Sequence, residues 1–156
     1  MKLYFASDHV GFEMKNKLVE FVKGLGYEVE DLGPRSYDPD DDYPVFISRA
    51  AELVSRSPEN AKAIILGLSG QGEDMVADKF PNVRSAEFYG GPLEIVELSR
   101  KHNNANILSL GAKFLSEEEA EEALKLWLET PFSGAERHRR RLKEIEDIEN
   151  SLYKNP

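Results

Sequence analysis

The sequence predicts an α/β fold: a three-layer sandwich in which helices cover both faces of a five-stranded parallel sheet, with a further C-terminal helix. Short apolar runs alternate with longer segments whose apolar residues recur at helical spacing. The connections are brief, and β-branched residues gather in the runs. With 156 residues and 40% hydrophobic content, the chain has enough material for one core. A single domain is expected over residues 1–150, followed by a polar tail, 151–156, that frays.

Leu3 to Ala6 is apolar, ends at Ser7-Asp8-His9 and reads as a strand. Phe12, Leu18, Phe21, Val22 and Leu25 then follow helical spacing until Gly26 closes the segment. Tyr27 to Leu32 alternates as a second strand. Gly33-Pro34 and the acidic run from Asp38 to Asp42 break regular structure and read as a solvated loop, with metal binding the lesser alternative. A helix follows from Val45 to Arg56. Ala63 to Leu66 is the third strand, Glu73 to Lys79 a short helix, Arg84 to Tyr89 the fourth strand, Leu93 to His102 a helix and Ala105 to Leu110 the fifth strand. Ser116 and Glu119 have the spacing of a capping box, opening a helix to Glu129 with Leu124, Trp127 and Leu128 on its apolar side. A last, charged helix is expected from Ala135 to Leu152.

A net charge of -9 repels a phosphate polymer, so general nucleic-acid binding is not expected; a small anion remains possible where positive charge is gathered locally. The absence of cysteine excludes disulfides, thiolate catalysis and cysteine-ligated metal centres. No apolar run approaches the roughly 18 residues of a membrane span. The N-terminus reads as a strand rather than a signal peptide, so a cytoplasmic protein without a membrane partner is expected.

The segment richest in chemistry is Gly67-Leu-Ser-Gly-Gln-Gly-Glu-Asp74. Its glycines permit close backbone approach, its amides open a helix where negative charge is favoured, and Glu73 stands where a general base would reach a bound anion. A tight strand-to-helix turn with no chemistry would look the same. In parallel sheets ligands bind at the carboxyl ends of strands near the topological switch point, so Asp8, His9 and the stretch Ser69 to Glu73 are expected to converge. The loop lacks the Gly-Lys-Ser/Thr ending of a P-loop and the glycine two residues after serine of a nucleophile elbow. No aspartate closes the third strand as a receiver domain would need.

The histidines stand beside other polar candidates: His9 after Asp8, His102 before Asn103 and Asn104, His138 within Arg137-His-Arg-Arg-Arg141. His9 and His102 lie at element ends, which favours a functional role, while His138 is compatible with a solvent-facing position. Arg137 and Arg141, four apart, share a helix face and can grip one phosphate, or else pair with Glu136 and Glu144. Lys113 would add positive charge if the two regions meet.

Ser7-Asp-His-Val-Gly-Phe12, Asp42-Tyr-Pro44, Gly67 to Glu73 with Ala77-Asp-Lys79, Ser99 to Asn106 and Arg137 to Arg141 occur in an order that resembles the type B ribose-5-phosphate isomerases, of the family that includes the galactose-6-phosphate isomerase subunits. The resemblance spans Met1 to Ile148. It implies a Rossmann-like fold with a five-stranded sheet and an aldose-ketose isomerase working through an enediolate, without metal or cofactor, in a homodimer or homotetramer whose sites lie at the dimer interface. Many members carry a catalytic cysteine at the position of Gly67; a second branch uses a glutamate in the loop, and Leu68-Ser-Gly-Gln-Gly-Glu73 is similar to that branch. The resemblance then makes Glu73 the base and His102 the proton donor in ring opening. It assigns substrate contacts to Asp8, His9, Leu68, Ser69, Gly70, Gln71, Gly72, Asn103 and Lys113, with phosphate held by Arg137 and Arg141.

Three departures bear on specificity. Leu68 stands where glycine is usual, Lys113 where arginine is usual, and Glu87 interrupts a normally apolar stretch. Ribose 5-phosphate is the first expected substrate. A hexose 6-phosphate, or a paralogue that binds sugar phosphate without turnover, is the alternative.

Overall fold

In the computed structural model, which describes residues 1–153, five parallel strands form one sheet between two layers of helices. The chain runs β1 (Lys2–Ser7), α1 (Phe12–Gly24), β2 (Glu28–Asp31), α2 (Tyr43–Arg56), β3 (Ala61–Gly67), α3 (Gln71–Ala77), β4 (Ser85–Phe88), α4 (Glu94–Asn103), β5 (Ile107–Gly111), α5 (Glu117–Glu129) and α6 (Glu136–Tyr153). The strand order is β2-β1-β3-β5-β4. The chain therefore leaves β1 toward one side and β3 toward the other, which opens a switch point between their carboxyl ends.

Strand alternation sends side chains to two cores. Leu3, Phe5, Ile64, Leu66, Leu108 and Leu110 pack with residues of α1, α4 and α5, around a fully buried Trp127. Tyr4, Ala6, Ala63, Ile65 and Ile107 pack against α2 and α3. Each fully buried leucine or isoleucine contributes about 1.5–3 kcal/mol over an exposed one.

Element boundaries differ from the sequence expectation for local reasons. β2 is four residues long and half exposed because it is an edge strand. α2 begins at Tyr43 with Pro44 in its first turn, where a missing N–H has no intrahelical partner to lose. α3 begins at Gln71 because Gly70, at φ 86°, turns the chain directly into the helix. The capping box of α5 forms as expected, with Glu119 N–H donating to Ser116 Oγ and Ser116 N–H donating to Glu119 Oε2. α6 continues through Tyr153; of the tail expected over 151–156, residues 154–156 lie outside the described residues.

A charged side chain is also built into the core. Lys15 of α1 is fully buried, and its ammonium donates to Asp31 Oδ2 at 2.5 Å and to the Pro34 carbonyl at 3.2 Å. This pair ties α1 to β2 and fixes the start of the loop that returns over the switch point.

Candidate active site

Asp8 directly follows β1. Its N–H donates to the Leu66 carbonyl, and its carboxylate accepts the Gly11 N–H at 2.9 Å, so backbone bonds set its position from both sides. Gly11 packs so closely on β3 that a Cβ would lie 2.7 Å from Leu66 Cβ. The loop after β3 is held equally firmly. Ser109 Oγ of β5 donates to the Gly70 carbonyl at 2.7 Å, and Ser69 Oγ accepts the Gln71 N–H. α3 then starts and carries Glu73 back toward the strand end.

Glu73 is 4% exposed, and its carboxyl group fills the space that a side chain on Gly67 would occupy. The missing side chain at Gly67 is therefore what admits a carboxyl group at the end of β3. Gly72 serves the same loop in a second way, since a Cβ there would come 2.8 Å from the Tyr43 hydroxyl.

Burial raises the proton affinity of Glu73 above the ordinary carboxylate value; its own backbone N–H opposes the shift, and the negative charges of Asp8 and Glu87 add to it. Burial likewise raises Asp8, against the Gly11 N–H and His9, while Asp41 pushes the same way as burial. At Glu73 burial therefore outweighs the backbone N–H of the helix start, which favours the ionised form. The result is a pair of neighbouring carboxyl groups at the switch point, each with its proton affinity raised above the ordinary carboxylate value.

The acidic run is not simply solvated. Asp41 folds onto His9, accepting its backbone N–H at 3.0 Å and meeting its Nδ1 at 2.7 Å, both through Oδ1. Tyr37 lies edge-on to His9 and to Phe12. Leu68, Tyr89 and Phe114 form an exposed apolar rim on the other side, with Tyr89 edge-on to Phe114. Lys113, also exposed, follows β5 and is anchored by its N–H to the Leu68 carbonyl.

The remaining candidates lie elsewhere in the chain. His102 and Asn103 end α4, just before β5 begins, whereas Glu73 and Lys113 follow the strand ends. The two groups thus sit at opposite ends of the parallel strands, separated by the length of β3, about 20 Å for seven residues. Within one chain Lys113 and the α6 arginines do not meet. Arg137 Nε donates to His138 Nε2, which places the ring proton on Nδ1 facing Ser133 Oγ. His138 does not face solvent: it is the buried residue of α6, its ring centroid 4.2 Å from that of His102. Burial, then the charges of His102, Arg137 and Arg141, lower its proton affinity. Among the described residues the ion pair to Glu136 is made by Arg140, and neither Arg137 nor Arg141 takes one. Arg141 and the terminal nitrogens of Arg137, whose Nε is held by His138, stay available on an exposed helix face.

Three site residues carry no role in the sequence-based account. Ser109 is an inward polar residue in an apolar strand, a pattern visible in the sequence. Tyr43 lies inside the Asp42-Tyr-Pro44 motif. Asp41 is one acid among several in its run, and no spacing rule distinguishes it.

The comparisons with known proteins agree with one another. A family model described as Ribose/Galactose Isomerase matches residues 3–145. Ribose-5-phosphate isomerase B of Mycolicibacterium paratuberculosis is 36% identical over 156 residues, covering 100% of this chain and 96% of the relative. The Mycobacterium tuberculosis protein of the same name is 36% identical over 97% of this chain and 91% of its own. Among solved structures, ribose-5-phosphate isomerase B of Mycoplasma genitalium with bound ribulose-5-phosphate superposes with a TM-score of 0.91 at 32% identity, covering 96% of both chains. The Clostridium thermocellum enzyme gives 0.90 at 34% identity, covering 97% of this chain and 99% of that one.

Proposed function

Because the chain belongs to the ribose/galactose isomerase family, we propose that it interconverts ribose 5-phosphate and ribulose 5-phosphate, with Glu73 as the proton-transfer base. The observation that carries the assignment of the base is the placement of the Glu73 carboxyl in the space left by Gly67, buried beside Asp8 at the switch point. The relative that holds ribulose-5-phosphate supports the substrate.

In the open-chain aldose the carbon next to the carbonyl carries an acidic proton. Glu73 removes it, giving an enediolate, and returns it to the former carbonyl carbon while the hydroxyl proton passes to the former carbonyl oxygen. Its raised proton affinity makes it a stronger base than a solvated carboxylate and brings it nearer the working pH. Of the first-turn amides of α3, Gln71 N–H is taken by Ser69 Oγ and Glu73 N–H by its own carboxyl group, so the Gly72 N–H, which has no helical partner, is the donor for the developing oxyanion in the neighbourhood of Ser69, Gly70 and Gln71. Asp8 and His9 hold hydroxyl and anionic groups at the same edge, and Leu68 limits the room beside them.

Ring opening and phosphate binding fall to His102, Asn103, Arg137 and Arg141, with Lys113 nearby. A single chain keeps the first four at the far end of the strands, so we assign them to the site of a second copy, and the active species is at least a dimer. The exposed apolar rim of Leu68, Tyr89 and Phe114 is the surface on which that copy would seat. No helix among the described residues is long and apolar enough to cross a membrane, in keeping with a cytoplasmic isomerase of small metabolites.

Replacing Glu73 with Gln tests the base. The variant is expected to lose solvent-proton exchange at the carbon beside the carbonyl by about 1,000-fold or more, while binding ribose 5-phosphate within a few-fold of the parent. Exchange near the parent rate, measured by deuterium incorporation, would remove Glu73 from that role.

A further inference from the structure

His9 and Asp41 are 32 positions apart, yet one carboxylate oxygen holds the histidine twice. Oδ1 of Asp41 fixes the His9 backbone through its N–H and the ring through Nδ1. The Asp41 side chain is only 6% exposed, and its second oxygen, Oδ2, is screened from water with no hydrogen-bond partner. A carboxylate so placed is stabilised as an anion only if a full positive charge faces it, because a buried, half-satisfied anion is costly. The charged groups that act on the ring are all acidic: Asp8 before it in the chain, with Asp38 and Asp41 from the loop ahead of α2. Tyr37 packs edge-on against the imidazole and limits its rotation. Nδ1 is committed to Asp41, which leaves Nε2 as the ring nitrogen free to meet a ligand.

We propose that Asp41 is a positioning residue for substrate binding: it orients His9 and holds it as an imidazolium, so that Nε2–H is a charged donor to an anionic oxygen of the substrate at the edge that carries Asp8 and Glu73. The proposal rests on the isomerase assignment above only for the identity of that substrate. It gives the acidic loop a function, because a net-negative chain needs a local cation to draw in an anion, and Asp41 supplies one by stabilising a proton on His9 rather than through a lysine or arginine. The hydrogen bond from the ring to Asp41 is the largest influence on His9 and raises its proton affinity above the ordinary histidine value, against partial desolvation.

The test is an NMR titration of the His9 ring in the full-length protein, parent and Asp41→Asn, with and without sulfate. Sulfate keeps a constant charge over the range titrated. In the parent, His9 is expected to titrate above the ordinary 6.5, and in Asp41→Asn below the parent value. Sulfate affinity, read from the His9 shift, is expected to fall roughly tenfold at pH 7.5 in the variant and to recover at pH 5.5, where both proteins carry the imidazolium. In the isomerase assay KM should follow the same pH pattern with kcat changed by less than about twofold. A parent His9 that titrates at or below 6.5 overturns the proposal, and it does so even if Asp41→Asn fails to fold. So does an affinity gap that is the same at both pH values, the signature of a purely structural loop contact. Absence of isomerisation by the parent would instead overturn the substrate assignment, leaving the titration and sulfate results to decide the role of Asp41.

Discussion

Glu73 combines a functional placement with a thermodynamic cost. Its proton affinity in the folded chain lies above the ordinary carboxylate value of 4.5, so over the window upward from that value the native state binds more protons than the unfolded chain. Stability therefore falls as pH rises through the window, and at neutral pH the ionised carboxylate opposes folding. Glutamine has nearly the same shape and no charge. Glu73→Gln should raise Tm at pH 7.5, and the gain should shrink toward pH 4.5. Calorimetry at both pH values checks this; a variant less stable than the parent at pH 7.5 would mean that the carboxylate is satisfied in the fold rather than strained by burial. The sequence already shows the glycines and the glutamate of this loop. It does not show that Glu73 folds back into the space of Gly67, because that contact depends on the angle at which Gly70 launches α3.

The elements form largely where periodicity places them, and the exceptions concern polar contacts between elements. Lys15 stands in the helical segment as an unremarkable charge, but its ammonium reaches Asp31 and the Pro34 carbonyl and so joins α1, β2 and the loop beyond. Removing one partner leaves the other charge uncompensated. Because Asp31 is about one-third exposed and Lys15 not at all, Asp31→Ala should cost about 3 kcal/mol, the low end for a buried pair. Lys15→Met, which removes the buried charge and keeps the volume, should cost less than half as much. Urea unfolding of the two variants separates them; equal losses would mean that packing of the lysine stem, not its charge, holds the elements together. The pairing of Asp41 with His9 is hidden in the same way. A run of five residues with four acids reads as solvated, since hydropathy does not tell which acid turns inward. Alternation, glycine position and capping chemistry are local and therefore legible; a bond across 16 or 32 positions is set by tertiary approach.

At the scale of the molecule, the sheet separates what the proposed reaction must bring together. Glu73 follows β3, His102 precedes β5, and the parallel pairing of these strands fixes the two positions at opposite strand ends. If two chains pair so that the α4 and α6 residues of each complete the site of the other, an inactive Glu73→Gln dimer and an inactive His102→Ala dimer have complementary defects. After dissociation and remixing in equal amounts, half of the dimers are mixed. Each mixed dimer has one site with both residues intact and one with neither, so about one quarter of the parent activity should return. Either variant remixed with itself should stay inactive. Activity that fails to return in a mixture shown by native mass spectrometry to contain mixed dimers would place both residues in one chain's site, which the separation across the sheet forbids without a rearrangement of the fold. Recovery near one quarter would instead fix the catalytic unit as two chains, whether or not dimers pair further.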